Sequence, residues 1–462
     1  MPGWRIAELL AAQAISAVEV IERTLERIDE MDPRLHAFEH IDRDHARAQA
    51  RVADAQIAAG GPLGPLHGVP VAVIAAGRVE GMPDPLWDIA RVEEDSILVE
   101  RLRQSGAIIV GTTASYFFEP DKRPLNPWDT SRDPGNSSRG SAVAVASGMV
   151  PIAIGMDGMG STRLPAAWSG VIGLHTTRGL IPHVDYNAPS LLLTASYGPI
   201  TRNVRDCALT LQALAGPDGR DFVSVPTAPP DYLDRIDDGV AGLRIAWTND
   251  FGWAEAQAAP ETPDIIAVAR NAAAALADDG ATVDETHQQW WDPRPSMFSL
   301  GGVLAGMGYI PPVTPMKLYE LEVRLDEALG LTAAPPPPTF DPPPTTADQY
   351  RVAAEDRAKL WAICEDIFAS HDVLLSPTTP MQPRTLEEWG LQGRHHLVGS
   401  YTAHTVLFNF LGLPAISVPC GMLDGLPVGL QIAGPPGSED ALLRVAHAVH
   451  KRYPLGTPPA AL

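Results

Sequence analysis

Lysine and cysteine are both scarce in this 462-residue chain, and each scarcity excludes a kind of chemistry. Three cysteines far apart in the sequence are too few for a disulfide framework, which favours a reducing compartment. No lysine occurs before residue 122, so that part of the chain offers no lysine amine as a catalytic base. The cysteines are Cys207, Cys364 and Cys420, and the lysines are Lys122, Lys317, Lys359 and Lys451.

Positive charge is the third deficit of the composition. The chain has 34 lysines and arginines against 56 aspartates and glutamates, which gives a formal net charge of −22 at pH 7. Such a surface repels phosphate backbones and anionic lipid headgroups. The charge balance therefore predicts no nucleic-acid partner and no membrane partner.

Long uninterrupted apolar runs are also missing. The most continuous run, residues 142–156, is interrupted by Gly148, Pro151 and Gly155, so we predict a buried core element rather than a membrane span. The first apolar stretch carries Glu8 and Glu19, which a targeting signal would avoid. We therefore expect a cytoplasmic protein.

Helical and strand-like segments alternate along the sequence, which predicts an α/β protein. Because no internal repeat or clean linker is visible, we expect a single domain over residues 1–462. Its core is predicted at about 60–215 and 370–450, with a more variable cap region at about 216–370 and an exposed proline-rich loop at 333–344. Helices are predicted at 16–29, 42–59, 94–105, 264–279 and 346–370, and strands at 36–42, 68–74, 107–110, 243–247, 282–283, 373–376, 414–419 and 425–432.

Two loops rich in glycine and serine are the most informative feature. They cover Gly135–Ser141 and Gly155–Ser161 and flank a strongly apolar segment, which argues against a flexible linker. Successive backbone N–H groups in such loops suit an oxyanion. A phosphate-binding loop would need the pattern G-x-x-x-x-G-K-[ST], and neither loop contains lysine. The G-x-S-x-G pattern of a nucleophile elbow is also absent.

The run from Ser161 through Arg163, Pro165 and Ala166 to Gly170-Val-Ile-Gly-Leu174 resembles the core motif of the amidase signature family. Three further segments match that family in order: Pro65-Leu-His-Gly-Val-Pro-Val71, Leu413-Pro-Ala-Ile-Ser-Val-Pro419 and Gly425-Leu-Pro-Val-Gly-Leu-Gln431. The resemblance covers essentially the whole chain. It implies one large domain with a mixed β-sheet covered by helices on both faces, no cofactor, no metal and a possible homodimer.

The resemblance also implies roles for individual residues. Ser161 corresponds to the acylated nucleophile of a Ser–cis-Ser–Lys triad, and Ser137 to the bridging serine with its cis peptide bond. Backbone N–H groups of Gly158, Met159, Gly160 and Ser161 correspond to the oxyanion hole. In the family, a neutral lysine takes the proton of the nucleophile through the bridging serine.

The same comparison predicts that the triad is incomplete. The strand after Gly68-Val-Pro70 ends in Ile74-Ala75 where the family has Lys-Asp, and isoleucine has no proton to exchange. Losing such a base costs about 10³–10⁴-fold in rate. Other departures are Asn136, Arg139, Met159 and His175, together with a short connection between Thr113 and Asn126.

Few residues are candidates to replace the lysine. Lys122 on the shortened connection and His175 after a buried strand are the two we consider, although a solvated lysine and a structural histidine are the ordinary interpretations. Predicted substrate contacts are Tyr116, Phe117, Phe118, Trp168 and His404, and His395 and His396 are further candidates.

One motif suggests a metal. His36-Ala-Phe-Glu39-His40 matches the H-x-x-E-H signature of zinc proteases, which requires a helix to bring both histidines to one face. Pro33 and the local alternation favour a strand here, and no third ligand is evident, so we predict no metal site.

Three functions follow from these observations. The first is an enzyme that reuses the amidase pocket for cyclisation, condensation or rearrangement of an acyl- or amide-bearing small molecule in specialised metabolism. The second is a weak amide or ester hydrolase with Ser161 as nucleophile and a replacement base. The third is a non-catalytic binding protein.

Overall fold

A computed structural model gives the structure of the chain. It describes residues 1–61, 63–85, 89–115, 123–184, 194–254, 258–306, 345–385, 388 and 400–461, with the backbone alone for 301–306. The predicted proline-rich loop at 333–344 lies outside the described residues. No helix in the described ranges is both long enough and apolar enough to cross a membrane.

Helix α2, Ala17–Leu35, shows how the local sequence determines an element. The Ser16 hydroxyl accepts a hydrogen bond from the Glu19 N–H at 3.1 Å, and the Glu19 carboxylate accepts one from the Ser16 N–H at 2.8 Å. This capping box confirms the predicted start of the helix. The helix runs past the predicted end at residue 29 and includes Pro33 in its last turn, because its amphipathic face keeps burying side chains as far as Leu35.

The other helices range from 6 to 22 residues, and several follow buried strands closely. The helices of the described chain are α1 Gly3–Ala11, α2 Ala17–Leu35, α3 Arg43–Ala58, α4 Ile97–Gln104, α5 Arg139–Ala146, α6 Arg163–Ser169, α7 Val204–Leu214, α8 Thr262–Ala274, α9 Arg294–Gly306, α10 Ala347–Phe368, α11 Val406–Leu411 and α12 Glu439–Arg452.

The strands form one sheet with the order β1-β3-β2-β4-β6-β5-β10-β11-β9-β7-β8. They are β1 Phe38–Ile41, β2 Pro70–Ile74, β3 Ile108–Thr113, β4 Ile152–Asp157, β5 Ile172–His175, β6 Ser196–Thr201, β7 Arg244–Trp247, β8 Thr282–Glu285, β9 Val373–Pro377, β10 Ala415–Leu423 and β11 Leu426–Ala433. Strand β2 is parallel to β3 and β4, whereas β4 is antiparallel to β6. The predicted α/β fold with a mixed sheet is therefore confirmed.

Two consequences of the topology matter for the site. The parallel strands β2 and β4 end side by side, so Ile74 and Asp157 lie at the same edge of the sheet. Helix α5 begins at Arg139, within the first glycine-serine loop, and α6 begins at Arg163, just after the second. Strands β7 and β8 come from the segment expected to form a more variable cap region, and they lie at one edge of the sheet, next to β9.

The central strands approach so closely that some positions accept only glycine. A Cβ atom on Gly198 of β6 would overlap the backbone carbonyl of Leu174 on β5. Backbone atoms cannot move aside without breaking the pairing of these two strands. Gly219 is the matched opposite, since it is exposed and a Cβ atom there would meet nothing within 4 Å.

We predict that Gly198→Ala lowers the free energy of unfolding by roughly 3 kcal/mol or more, because overpacking between two strands has no route of relaxation. Urea unfolding followed by circular dichroism measures the loss. Gly219→Ala is the control and should leave the midpoint essentially unchanged. Equal stability of the two variants would contradict the close packing of β5 and β6.

Candidate functional site

The loop between β4 and α6 carries the predicted nucleophile, Ser161, which is partly exposed. The carboxylate of Asp157, the last residue of β4, determines the shape of this loop. Its Oδ1 accepts a hydrogen bond from the Gly160 N–H at 2.6 Å, and its Oδ2 accepts bonds from the N–H groups of Thr162 at 3.2 Å and Arg163 at 3.3 Å. The loop therefore wraps around one buried carboxylate and presents Ser161 on its outer side.

Glycine is required at position 160 of this loop. Its φ is +115°, and a Cβ atom there would overlap the hydroxyl of Thr405. The same Thr405 hydroxyl donates a hydrogen bond to the Met159 carbonyl at 2.8 Å, which ties the loop to the residue before α11. The Met159 side chain is partly buried and packs against an apolar cluster that contains Phe251 and Phe408. The long side chain that the sequence places in this loop is thus accommodated by packing.

The backbone N–H groups of the loop divide into two sets. Gly160 donates to Asp157 in this conformation, so its N–H is occupied here, and its oxyanion role stays a prediction. The N–H groups of Gly158, Met159 and Ser161 make no hydrogen bond within the described residues. Three donors beside a partly exposed serine are the arrangement that a developing oxyanion needs.

The second loop precedes α5 and contains Ser137. The expected cis peptide bond is not found, because no peptide bond in the described ranges is cis, and Ser137 instead has a φ of +62°. Its N–H donates to the side-chain Oδ1 of Asn136 at 2.8 Å. The Ser138 N–H donates to the Ser161 carbonyl at 3.2 Å, which joins the two loops. The predicted proximity of the Ser137 and Ser161 loops is therefore observed.

No base contacts either serine in the described part of the chain. The hydroxyl groups of Ser137 and Ser161 make no hydrogen bond there, either with each other or with a third group. Ile74, the residue in the predicted position of the lysine, is fully buried at the end of β2 and pairs with Thr113 of β3. The hydroxyl oxygen of Thr113 lies 2.6 Å from that of Ser141 on α5, so β3 contacts this helix directly. Ile74 lies on the neighbouring strand, β2.

The unusual residues of the Ser137 loop form one network. Arg139 is buried, and its guanidinium donates to Asn136 Oδ1 at 2.9 Å and lies 3.6 Å from Asp133 Oδ2. Asn136 donates in turn to the Tyr401 hydroxyl at 3.0 Å. Sequence reasoning singled out Asn136 and Arg139 as separate departures and missed Asp133 and Tyr401. Nothing in the local sequence indicates Tyr401, because it is distant along the chain.

A buried ion pair supports the nucleophile loop from below. Arg163 donates to both oxygens of Asp157, at 2.9 Å and 3.1 Å, and neither side chain is exposed. Asn409 donates to Asp157 Oδ1 at 2.8 Å, and Gln431 accepts from Arg163 at 2.8 Å. Burial by itself would raise the pKa of Asp157, but the charge of Arg163 outweighs it and holds that pKa well below its usual range. Asp157 is therefore a structural carboxylate.

His175 belongs to this support. It ends β5, is buried, and lies 4.0 Å from Asp157 Oδ1, and its Nδ1 is 2.7 Å from the Ser196 hydroxyl oxygen. Burial lowers the pKa of His175 to about 3, despite the opposing charge of Asp157. A general base works best with a pKa near the operating pH. The proposed role of His175 as a replacement base stays a prediction, and this low basicity weakens it.

The predicted substrate contacts fall into two groups. Trp168 is buried and donates through its indole N–H to the Met381 carbonyl at 3.0 Å. His404 is also buried, with Nδ1 3.0 Å from the Pro377 carbonyl oxygen, and burial lowers its pKa to about 4. In this conformation both side chains are core residues, so their substrate roles stay predictions. Tyr116, Phe117, Phe118, Lys122, His395 and His396 lie outside the described residues.

The candidate zinc motif is split between two elements. His36 follows the last residue of α2 in a left-handed conformation, whereas Glu39 and His40 lie on β1. The motif needs both histidines one turn apart on a helix. The described structure lacks that geometry because the chain turns at His36.

Comparison with known proteins gives consistent matches over nearly the whole chain. The family described as Amidase matches residues 19–443. An acylamidase of Rhodococcus erythropolis is 32% identical over 467 residues, covering 96% of this chain and 93% of that protein. The glutamyl-tRNA(Gln) amidotransferase of Salinispora arenicola (strain CNS-205) has a subunit that is 34% identical over 503 residues, covering 98% of each chain.

Solved structures give the same result. A bacterial aryl acylamidase of the amidase signature enzymes superposes with a TM-score of 0.81 at 26% identity, covering 98% of this chain and 96% of that chain. A 6-aminohexanoate cyclic dimer hydrolase superposes with a TM-score of 0.76 at 26% identity, covering 100% and 99%.

We predict that His175 makes stability depend on pH. Because its pKa is about 3 when folded and about 6.5 when unfolded, only the unfolded chain binds this proton at intermediate pH. The free energy of unfolding should therefore fall with decreasing pH, with a contribution of at most about 1.4 kcal/mol per pH unit. His175→Asn should make that slope shallower, as measured by urea unfolding from neutral pH down to about pH 4.5.

Ser196→Ala is the matched control, because it removes the hydroxyl that contacts His175 and keeps the histidine buried. Its pH slope should stay close to that of the unaltered chain. A slope that is the same in His175→Asn as in the unaltered chain would show that the histidine is not held neutral.

Proposed function

The chain belongs to the Amidase family, and on that premise we propose that it is a weak amide or ester hydrolase that acts on an acyl- or amide-bearing small molecule through Ser161. The loop after β4 supports this proposal most directly. It combines a partly exposed serine with unbonded N–H groups at Gly158, Met159 and Ser161 in the described chain. A nucleophile and backbone N–H groups that can bind an oxyanion, held together on one loop, suit attack on a carbonyl carbon.

The proposed chemistry is acyl transfer in two steps. The Ser161 hydroxyl oxygen attacks the carbonyl carbon, its proton passes to solvent or to a replacement base, and the leaving amine or alcohol departs with a proton. Water then attacks the acyl-serine ester and releases the acid. The N–H groups of Met159 and its neighbours stabilise the negative charge on the carbonyl oxygen in both steps.

The loop is held in place by a buried charge and by packing, and neither takes part in the reaction. Asp157 holds Gly160, and Thr405 holds Met159, so the donors need no reorganisation when the oxyanion forms. The weak point is proton transfer. Ile74 is buried and apolar where the family resemblance expects lysine, and a missing general base costs about 10²–10⁴-fold in rate.

The names of the relatives also favour some of the possible reactions over others. They are a cyclic dimer hydrolase, an acylamidase and an amidotransferase subunit, which favours hydrolysis or amidotransfer over cyclisation, condensation or rearrangement. These names give no support to a role in specialised metabolism. Hydrolysis by Ser161 is therefore the proposal that we put first.

We predict slow labelling of Ser161 by a fluorophosphonate probe, with a rate that rises through the alkaline range because hydroxide must remove the serine proton. Ser161→Ala should abolish labelling, as read by intact-protein mass spectrometry and peptide mapping. A loss of labelling in Lys122→Ala or His175→Ala would identify that residue as the replacement base. No labelling at any pH would contradict a nucleophilic Ser161 and favour a binding protein.

We also predict that Ile74→Lys raises the labelling rate by about 10²-fold, since it places an amine at the end of β2. Ile74→Met is the matched control, because its side chain has a similar reach and no basic group, and its rate should equal that of the unaltered chain. Equal rates in the Lys and Met variants, both folded, would show that the end of β2 is not the position of the base.

A further inference from the structure

A cavity of about 430 Å³ lies at the sheet edge opposite the candidate site. Pro70, the first residue of β2, lines it, whereas Ile74, the last residue of β2, belongs to the Ser161 side. At about 3.3 Å per residue, these two ends of the strand are about 13 Å apart. The cavity is therefore separate from the carbonyl-binding loop.

The walls of the cavity are apolar. Side chains from α1, from the start of α2 and from the turn before β4 form them: Ile6, Ile15, Val20, Met149 and Pro151. The volume lies within the range of pockets that hold small organic ligands, roughly 300–1,000 Å³. An apolar wall of this extent suits a hydrocarbon body rather than a bare inorganic ion.

The charged side chains on the lining have an excess of one sign. Arg23, Arg27 and Arg202 are present with Glu19 as the one carboxylate among the lining residues, in a chain whose net charge is −22. Glu19 already accepts hydrogen bonds from the backbone and the hydroxyl of Ser16. Arg23 and Arg27 are paired with Glu26 and Glu30, at 2.9 Å and 2.8 Å, so Arg202 is the lining arginine without an ion pair in the described ranges.

Arg202 is the charged lining residue without a direct partner in the described ranges. Its guanidinium makes no hydrogen bond and no ion pair there, although it is half-buried and the charge of Asp206 acts on it. The nearby carboxylate of Asp206 is occupied by the N–H groups of Gly3 and Trp4, at 2.8 Å and 2.7 Å. Burial lowers the pKa of Arg202, which is the expected effect of a desolvated cation.

The position of Arg202 is set by its neighbours. Gly148 has a φ of +73°, and a Cβ atom there would lie 2.9 Å from Arg202 Nη1, so the guanidinium rests directly over a glycine backbone. Arg27 is anchored beside it by bonds to the Ser147 carbonyl at 3.0 Å and the Ala461 carbonyl at 2.6 Å. One arginine is thus fully bonded, and its neighbour is left with free donors that face the cavity.

We propose that this cavity binds a small organic acid with an apolar body, its carboxylate on Arg202 and its hydrocarbon part against Ile6, Ile15 and Met149. Guanidinium and carboxylate match as a planar, bidentate pair, and that pairing supplies the direct partner that Arg202 lacks among the described residues. The ligand is not a substrate of Ser161, because it occupies the other end of β2.

Octanoate is the probe, titrated into the full-length protein by isothermal calorimetry and by thermal unfolding. We expect saturable binding and a rise in melting temperature. Arg202→Met should weaken binding about tenfold or more, since a bond to a charged partner is lost. The same variant should melt no lower than the unaltered chain without ligand, because Arg202 makes no hydrogen bond or ion pair within the described residues, and a purely structural arginine would not behave in this way.

Arg235→Met is the matched control, since Arg235 is exposed, pairs with Asp238 and lies outside the cavity, and it should bind octanoate normally. Arg202→Lys keeps the positive charge but lacks the planar guanidinium, so it should bind octanoate with intermediate affinity. This variant provides the test if Arg202→Met does not fold. Undiminished binding in Arg202→Met, or no octanoate binding at all, would overturn the proposal. Sulfate binding as tightly as octanoate would overturn the part that assigns an apolar body.

Discussion

The buried ion pair between Asp157 and Arg163 is the constraint on which the rest of the candidate site depends. One carboxylate stabilises three backbone N–H groups of the loop after β4 and one guanidinium from the start of α6. A buried pair of this kind persists because its remaining hydrogen-bonding capacity is satisfied, here by Asn409 and Gln431. The loop that presents Ser161 is consequently rigid whether or not the reaction still proceeds there.

This rigidity means that the loop keeps its shape whichever group takes the proton from Ser161. The groups that would bind an oxyanion are backbone N–H groups of the loop that Asp157 supports, and they do not depend on the residue at the end of β2. Ile74 packs into the core as an ordinary apolar strand residue. The fold and the oxyanion-binding N–H groups are thus independent of the groups that transfer the proton. A change in the proton-transfer groups leaves the fold and the N–H groups unchanged.

Much of the fold was predictable from local signals. The capping box at Ser16, the apolar run that ends at Ile74 and the glycine-bearing loops each depend on residues within a few positions of one another. The pairing of strands was not predictable in this way. Strand β6, Ser196–Thr201, inserts between β4 and β5, and no periodicity in its short sequence indicates that position.

The sequence by itself determined the family, the α/β class and the two serine loops, because these follow from ordered motifs and local backbone preferences. Only the tertiary structure decided which N–H groups of the loop lack a partner in the described chain, since it shows that Gly160 donates its N–H to Asp157. It also decided that Arg139 belongs to a network with Tyr401 and that Arg202 makes no hydrogen bond or ion pair in the described chain. These are properties of side chains brought together from distant parts of the sequence, and burial sets the energy of each.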